Sequence, residues 1–290
     1  MSIRAVATTV GGALLSGALI LSTAQAAQAA PQDDAPIPIA HRGASAYAPE
    51  NTLAAVDRAH ELGVDWVEND VQRTKDGELV VVHDTTLDRT TDAEEVYPDR
   101  GPWNVSDFTL AEISKLDAGS WFDKTFKDER VPTLEQYLNK LDETGQDLLL
   151  ELKSPELYPG VEEETLAALK EHGWLDAGHV QGKLIIQSFN AQAMKTVHQA
   201  APEVKTGFLG HPKKTELADY AGFVDQINPE YTAVTKEYVD AVHGLKGPHG
   251  KPLETFTWTV NDAESARAMA AAGVDGLISN KPDVVRDALT

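Results

Sequence analysis

Short apolar runs alternate with amphipathic stretches from residue 37 to the C-terminus, and this alternation restricts the fold more than any other feature. The apolar runs fall at 37–41, 66–70, 148–152, 184–188, 205–209, 225–228, 256–260 and 276–279. Helix-like stretches lie between them, at 52–62, 134–143, 161–171, 191–200, 236–243 and 263–272. A strand followed by a helix implies parallel pairing, because a parallel neighbour is reached only through a long crossover. Eight such units in about 250 residues predict an α/β fold of the closed (β/α)8 TIM-barrel type. An open doubly wound sheet is the second choice.

One run breaks the rhythm. "LVVVH", residues 79–83, follows the second strand after only "TKDGE", too few residues for a helix, so the two runs are expected to form a hairpin. His83 then returns to the barrel mouth near Glu68 and Asp70. From about 84 to 133 the chain carries a long segment with Trp103, Trp121, Phe122 and Pro132, read as an insertion between the second strand and second helix. Trp121 and Phe122 are read either as a lid or as the insertion's own small core.

Residues 1–30 combine Arg4, an uncharged Ala/Leu/Gly-rich run and small residues around Ala24–Ala29, the pattern of a cleaved secretory signal peptide. A flexible leader, 31–36, precedes a single domain over 37–290. The expectation is therefore a secreted protein without stable membrane insertion. The formal charge of −21 disfavours nucleic acid and anionic bilayers as partners. An anionic substrate would need a local positive centre, and a divalent cation supplies one. With no cysteine, disulfides, thiol catalysis and Cys-ligated zinc are excluded.

In a barrel the reactive groups gather where the strands end. The expected strand ends carry His41 and Arg42, Glu68 and Asp70, Glu151 and Lys153, Gln187, Asn228, Trp258 and Asn261, then Ser279 and Asn280. Glu68 and Asp70 are two apart on one strand, as are Glu151 and Lys153, so each pair shares a face. Ionised acids inside a barrel are costly unless neutralised. Three of them with no sulfur ligand indicate a hard divalent metal, Ca²⁺ or Mg²⁺. A simple pairing of these acids with Arg42 or Lys153 is the plainer alternative.

His41 and His83 flank the acids in this arrangement and are candidates for general base and general acid. Arg42 offers a planar fork and Lys153 a point charge for phosphate oxygens. Cation, arginine, lysine and two histidines are the parts that stabilise and protonate a phosphodiester. Gly43 lets the backbone pass close by. Asn51 is expected to cap the first helix, and Glu50 to orient Arg42. The remaining histidines are assigned to structure or solvent.

The stretches "IAHRGASAYAPENTLAA", "VENDVQRTKDGELVVVHDTTLDRTTD", "VPTLEQYL", "LLLELK", "IIQSFN", "TWTVND" and "GVDGLISNKPD" resemble the glycerophosphodiester phosphodiesterases over about 37–287, nearly all of the mature chain. The resemblance implies His41 and His83 as the acid/base pair, Arg42 and Lys153 on the phosphate, and Glu68, Asp70 and Glu151 on Ca²⁺ or Mg²⁺. It also implies Trp258 in a glycerol pocket, 84–133 as the family's insertion, and glycerol 3-phosphate plus an alcohol as products. The expected partner is a small-molecule glycerophosphodiester or a teichoic-acid-type polymer. Two positions depart from the family pattern: Asn69, usually apolar there, and Asn280, often an acid. Competing readings are a phospholipase D-like lipid phosphodiesterase of the same superfamily and a non-catalytic phosphoglycerol-binding protein.

Overall fold

The alternation resolves into a ring of eight parallel strands in the computed structural model, which describes residues 1, 2, 5 and 35–290. The signal-peptide segment and most of the leader lie outside the described residues. The strands are β1 (Ile37–Ala40), β2 (Trp66–Arg73), β3 (Leu79–Val81), β4 (Asp147–Leu152), β5 (Leu184–Ser188), β6 (Lys205–Leu209), β7 (Gln226–Asn228), β8 (Phe256–Thr257) and β9 (Gly276–Ser279). They pair in the order β7-β6-β5-β4-β2-β1-β9-β8, and β3 hangs off β2. Between β7 and β8 the ring is closed by isolated parallel bridges, Gln226 with Glu254 and Glu230 with Trp258. The amide of Tyr231 donates to the Trp258 carbonyl at 2.8 Å across that seam. The architecture is the expected TIM barrel rather than an open sheet. Strand β8 is shorter than the expected 256–260, because only two residues keep the ladder with β9.

The helices form where side-chain oxygens meet their first free amides. Thr133 and Gln136 make a reciprocal capping box at the start of the helix Leu134–Thr144, which ends in left-handed Gly145. Asn190 caps Ala191–Ala200 by accepting from the amides of Gln192 and Ala193. At the first helix, Leu53–Glu61, the cap is Thr52 and not Asn51. Asn51 has φ 58°, which carries its side chain away from the helix to Asp70. The main core packs the outer face of the strands, including Val67, Leu148, Leu150 and Ile186, against Tyr137, Leu138, Leu169 and Met194 of the helices. Among the described residues, no helix is long and apolar enough to cross a membrane.

The expected hairpin is present. β3 pairs antiparallel with β2, setting Val81 opposite Val71 and Leu79 opposite Arg73. Its successive side chains serve different cores, as strand alternation requires. Val81 joins the barrel's outer core. Val80 and Val82 join a separate cluster with Leu87, Val105, Phe108, Ile113 and Leu116. The insertion is therefore a packed unit with its own hydrophobic centre. Trp121 and Phe122 are not in that cluster; Trp121 packs edge-on against Phe122, and Phe122 edge-on against Phe126.

Candidate active site

Within the ring, side chains stack in tiers two residues apart. Ile39, Trp66, Leu149, Ile185, Phe256 and Ile278 form an apolar tier with Trp258 packed against it. The residue two places onward in each strand is His41, Glu68, Glu151, Gln187, Trp258 and Asn280. Five of these six are polar, so in those strands the interior changes from apolar to polar toward the mouth.

Glu68, Asp70 and Glu151 are all buried, and one oxygen from each lies within 4.8 Å of the others. Burial and the neighbouring charges of Asp70 and Glu151 push the Glu68 carboxyl well above its ordinary range. Burial and Asp70 push Glu151 up to about 8. For Asp70, burial is outweighed by Arg42 and Lys153, which hold it below its ordinary value. Its Oδ1 is buried without a hydrogen-bond donor, although Lys153 Nζ stands 3.5 Å away. Three buried carboxyls, two of them pushed up by burial and mutual repulsion and one with an oxygen left without a donor, form a donor set that fits a divalent cation bound through oxygen.

His41 Nδ1 is 2.6 Å from Asn280 Oδ1, and its Nε2 is 4.0 Å from Glu68. An amide oxygen only accepts, so Nδ1 carries the proton and Nε2 is left as the basic nitrogen. Burial and the Arg42 charge lower this imidazole to about 4. His83 Nδ1 is 2.6 Å from Asp84 Oδ1. Burial, Arg42 and Lys153 lower His83 as well, opposed by Asp70 and the Asp84 bond.

Arg42 and Gly43 both have positive φ, 56° and 77°. This turn aims the Arg42 amide at Glu68 Oε2, 2.9 Å away. A side chain at Gly43 would sit 2.5 Å from the Ala55 Cβ, so only glycine lets strand and helix meet so closely. The Arg42 guanidinium donates to Glu50 at 2.9 Å, the orienting contact expected from the sequence. Lys153 Nζ donates to Glu151 at 2.9 Å. His41, Arg42, Glu68, His83, Glu151, Lys153 and Trp258 border one pocket of about 120 Å³. Asp70, the remaining sequence-predicted residue, touches Arg42 and Lys153 at 3.5 Å.

Four contributors escaped the sequence reading. Asn51 Nδ2 donates to Asp70 Oδ2 at 2.8 Å. Arg89, near the start of the insertion, donates to both oxygens of Asp84 and both of Glu50. It thereby joins the His83 side of the pocket to the Arg42 side. Against the effect of burial, hydrogen bonds from Arg89 and His83 bring Asp84 down to about 2. Gln72 Nε2 donates to the carbonyls of Val82, His83 and Asp84 and fixes the loop that carries the imidazole. Its i+2 and i+4 spacing from Asp70 and Glu68 was the available signal. Phe189 lies edge-on to Trp258 with ring centres 5.6 Å apart and completes an aromatic wall.

Comparison with known proteins bears on this geometry. Residues 41–284 match the model of the glycerophosphoryl diester phosphodiesterase family. A glycerophosphodiester phosphodiesterase of Caldanaerobacter subterraneus subsp. tengcongensis is 40% identical over 85% of this chain and 95% of its own. One from Bacillus subtilis is 36% identical over 85% of this chain and 84% of its own. Among solved structures, a phosphodiesterase from Oleispira antarctica in complex with the product sn-glycerol-3-phosphate superimposes with a TM-score of 0.71 at 31% identity. That match covers 86% of this chain and 95% of the other.

Proposed function

Because the chain belongs to the glycerophosphoryl diester phosphodiesterase family, we propose that it hydrolyses glycerophosphodiesters to glycerol 3-phosphate and an alcohol. Glu68, Asp70 and Glu151 would hold the divalent cation, with His41 and His83 as the proton-transfer pair. The observation that carries this reading is the approach of three buried carboxylates to within 4.8 Å beside a pocket that both histidines border.

A divalent cation bound by these acids supplies neutralising charge at the phosphoryl oxygens. The all-oxygen donor set suits Mg²⁺ or Ca²⁺. Arg42, pinned by Glu50, and Lys153, pinned by Glu151, present two fixed positive charges to the same pocket. The environments of the two imidazoles divide their roles. His41, paired with a neutral amide and lowered to about 4, is free of its proton at neutral pH and accepts one from the nucleophile at Nε2. His83 is also lowered by burial, but Asp70 and the Asp84 carboxylate oppose that shift, so of the two rings it is the one assigned to deliver a proton to the leaving alcohol. Trp258 and Phe189 offer an apolar face to the glycerol carbons.

A role confined to binding phosphoglycerol would leave the imidazole pair and its supports without a task. A small diester suits the chain better than a polyanionic cell-wall polymer, given the charge of −21. The signal-peptide pattern of residues 1–30 supports action outside the cell. The test is incubation with glycerophosphocholine in Mg²⁺ or Ca²⁺, with and without a chelator, reading glycerol 3-phosphate by a coupled dehydrogenase. Release that the chelator abolishes is expected, and no release in either metal would sink the proposal.

A further inference from the structure

We infer that the leaving alcohol occupies the cleft between the loops that follow β4 and β5, and that this cleft favours a small alcohol carrying an ammonium group. The inference rests on the phosphodiesterase reading above. The catalytic pocket, at about 120 Å³, is the smaller of two adjoining cavities. A second cleft of about 620 Å³ adjoins it, and Glu151, Lys153 and Phe189 border both. With one arm against Trp258, the other runs past Lys153 into this cleft. Its walls are successive βα loops on the C-terminal face of the barrel.

The cleft lining gives the chemistry. Phe189 is 50% exposed at the junction of the two cavities, so much of its ring remains open even with Lys153 Nζ 5.6 Å from its centre. Ser154, in the opposite loop, has φ 44°, a left-handed conformation serine seldom adopts and one that recurs where a loop clamps a ligand. Glu156 lines the same wall; its carboxylate meets only Asn190 Nδ2, at 3.4 Å, and has no salt bridge among the described residues. The one positive side chain of the cleft, Lys153, is already matched by Glu151 at 2.9 Å and Asp70 at 3.5 Å. The helix beginning at Ala191 offers little to an anion, because Asn190 Oδ1 accepts from the amides of Gln192 and Ala193. A carboxylate and an aromatic face with no uncompensated cation favour an ammonium group. A phosphorylated or carboxylated alcohol meets repulsion instead.

The experiment compares kcat/KM for glycerophosphocholine and glycerophosphoglycerol, which share the phosphoglycerol half and release choline or glycerol. The wild-type enzyme is expected to favour the choline diester by roughly tenfold, mostly through KM. Glu156→Gln should reduce that ratio to within about twofold, and Phe189→Leu should lower it too. A wild-type ratio near one, or a ratio unchanged in Glu156→Gln, overturns the inference. Saturation-transfer NMR with choline chloride reads the cleft without turnover. Choline contact that weakens in Glu156→Gln, with neither diester hydrolysed, keeps the cleft and removes the phosphodiesterase reading. Hydrolysis of both diesters without preference does the reverse, and neither hydrolysis nor choline contact removes both.

Discussion

Nδ1 of His83 lies 2.6 Å from Oδ1 of Asp84, the next residue in the chain, so the imidazole is oriented by a carboxylate that a backbone neighbour cannot help but keep close. The carboxylate is itself fixed, since Arg89 grips both its oxygens and bridges to Glu50, which holds Arg42. Arg89→Ala should lower kcat by about 10- to 100-fold with a smaller change in KM, the usual effect of losing an outer support. Arg89→Lys should recover little, because an ammonium cannot span two carboxylates as a planar fork does. Steady-state kinetics decides it, and a wild-type kcat in the alanine variant would remove Arg89 from the catalytic account.

The histidines themselves should weigh more. His41→Ala and His83→Ala are each expected to cost about 10²–10⁴ in kcat. Cation binding measured by calorimetry should stay near wild type, since neither ring belongs to the carboxylate trio. Full activity in either variant would discard it as a proton-transfer group.

Stability should respond to pH through the trio. Glu151 rises from an ordinary 4.5 to about 8 on folding, and Glu68 rises with it, so the folded state binds more protons than the unfolded state across that interval. In a chelator the associated stability is therefore complete below about pH 4.5 and lost as pH climbs through about 8. A divalent cation replaces those protons. The rise in Tm on adding Mg²⁺ or Ca²⁺ should grow steadily between pH 5 and 8, and a rise independent of pH would contradict the assignment.

Neutralising one acid separates stability from function. Glu151→Gln should raise the Tm of the chelated protein at pH 8, because it removes a repulsive buried charge, and abolish the additional gain from metal. Differential scanning calorimetry with and without cation reads both effects; a metal response equal to wild type would exclude Glu151 as a ligand.

Asn69 is fully buried on the outward face of β2, and neither amide atom has a protein partner. Asn69→Val should stabilise the fold by about 1–3 kcal/mol, the cost of an unsatisfied buried polar group. Urea denaturation checks this, and a destabilised variant would mean the amide is better satisfied than its surroundings indicate.

The features legible in the sequence are those that depend on period. Strand and helix rhythm located the helices Val161–Glu171, Ala191–Ala200 and Ala263–Ala272 to the residue, and i, i+2 spacing placed Glu68 with Asp70 and Glu151 with Lys153. The features hidden from it depend on where loops fold back. Asn51 has the composition of a helix cap and becomes an Asp70 donor only because its φ is positive. Arg89 reaches Glu50 across 39 positions of sequence, a contact fixed by the insertion's packing and by no local pattern. Phe189 is one aromatic after a strand until its ring is seen against Trp258.

The strand β3 gives Val81 to the barrel and Val80 to the insertion, Val82 just beyond it also joins the insertion, and His83 follows directly. Clusters of this kind open as separate cooperative units. If His83 has the proposed role, a transient melting of the insertion is expected to withdraw that imidazole while the ring of strands stays intact, so heat inactivation should precede global unfolding, with the working ceiling set by the smaller hydrophobic cluster.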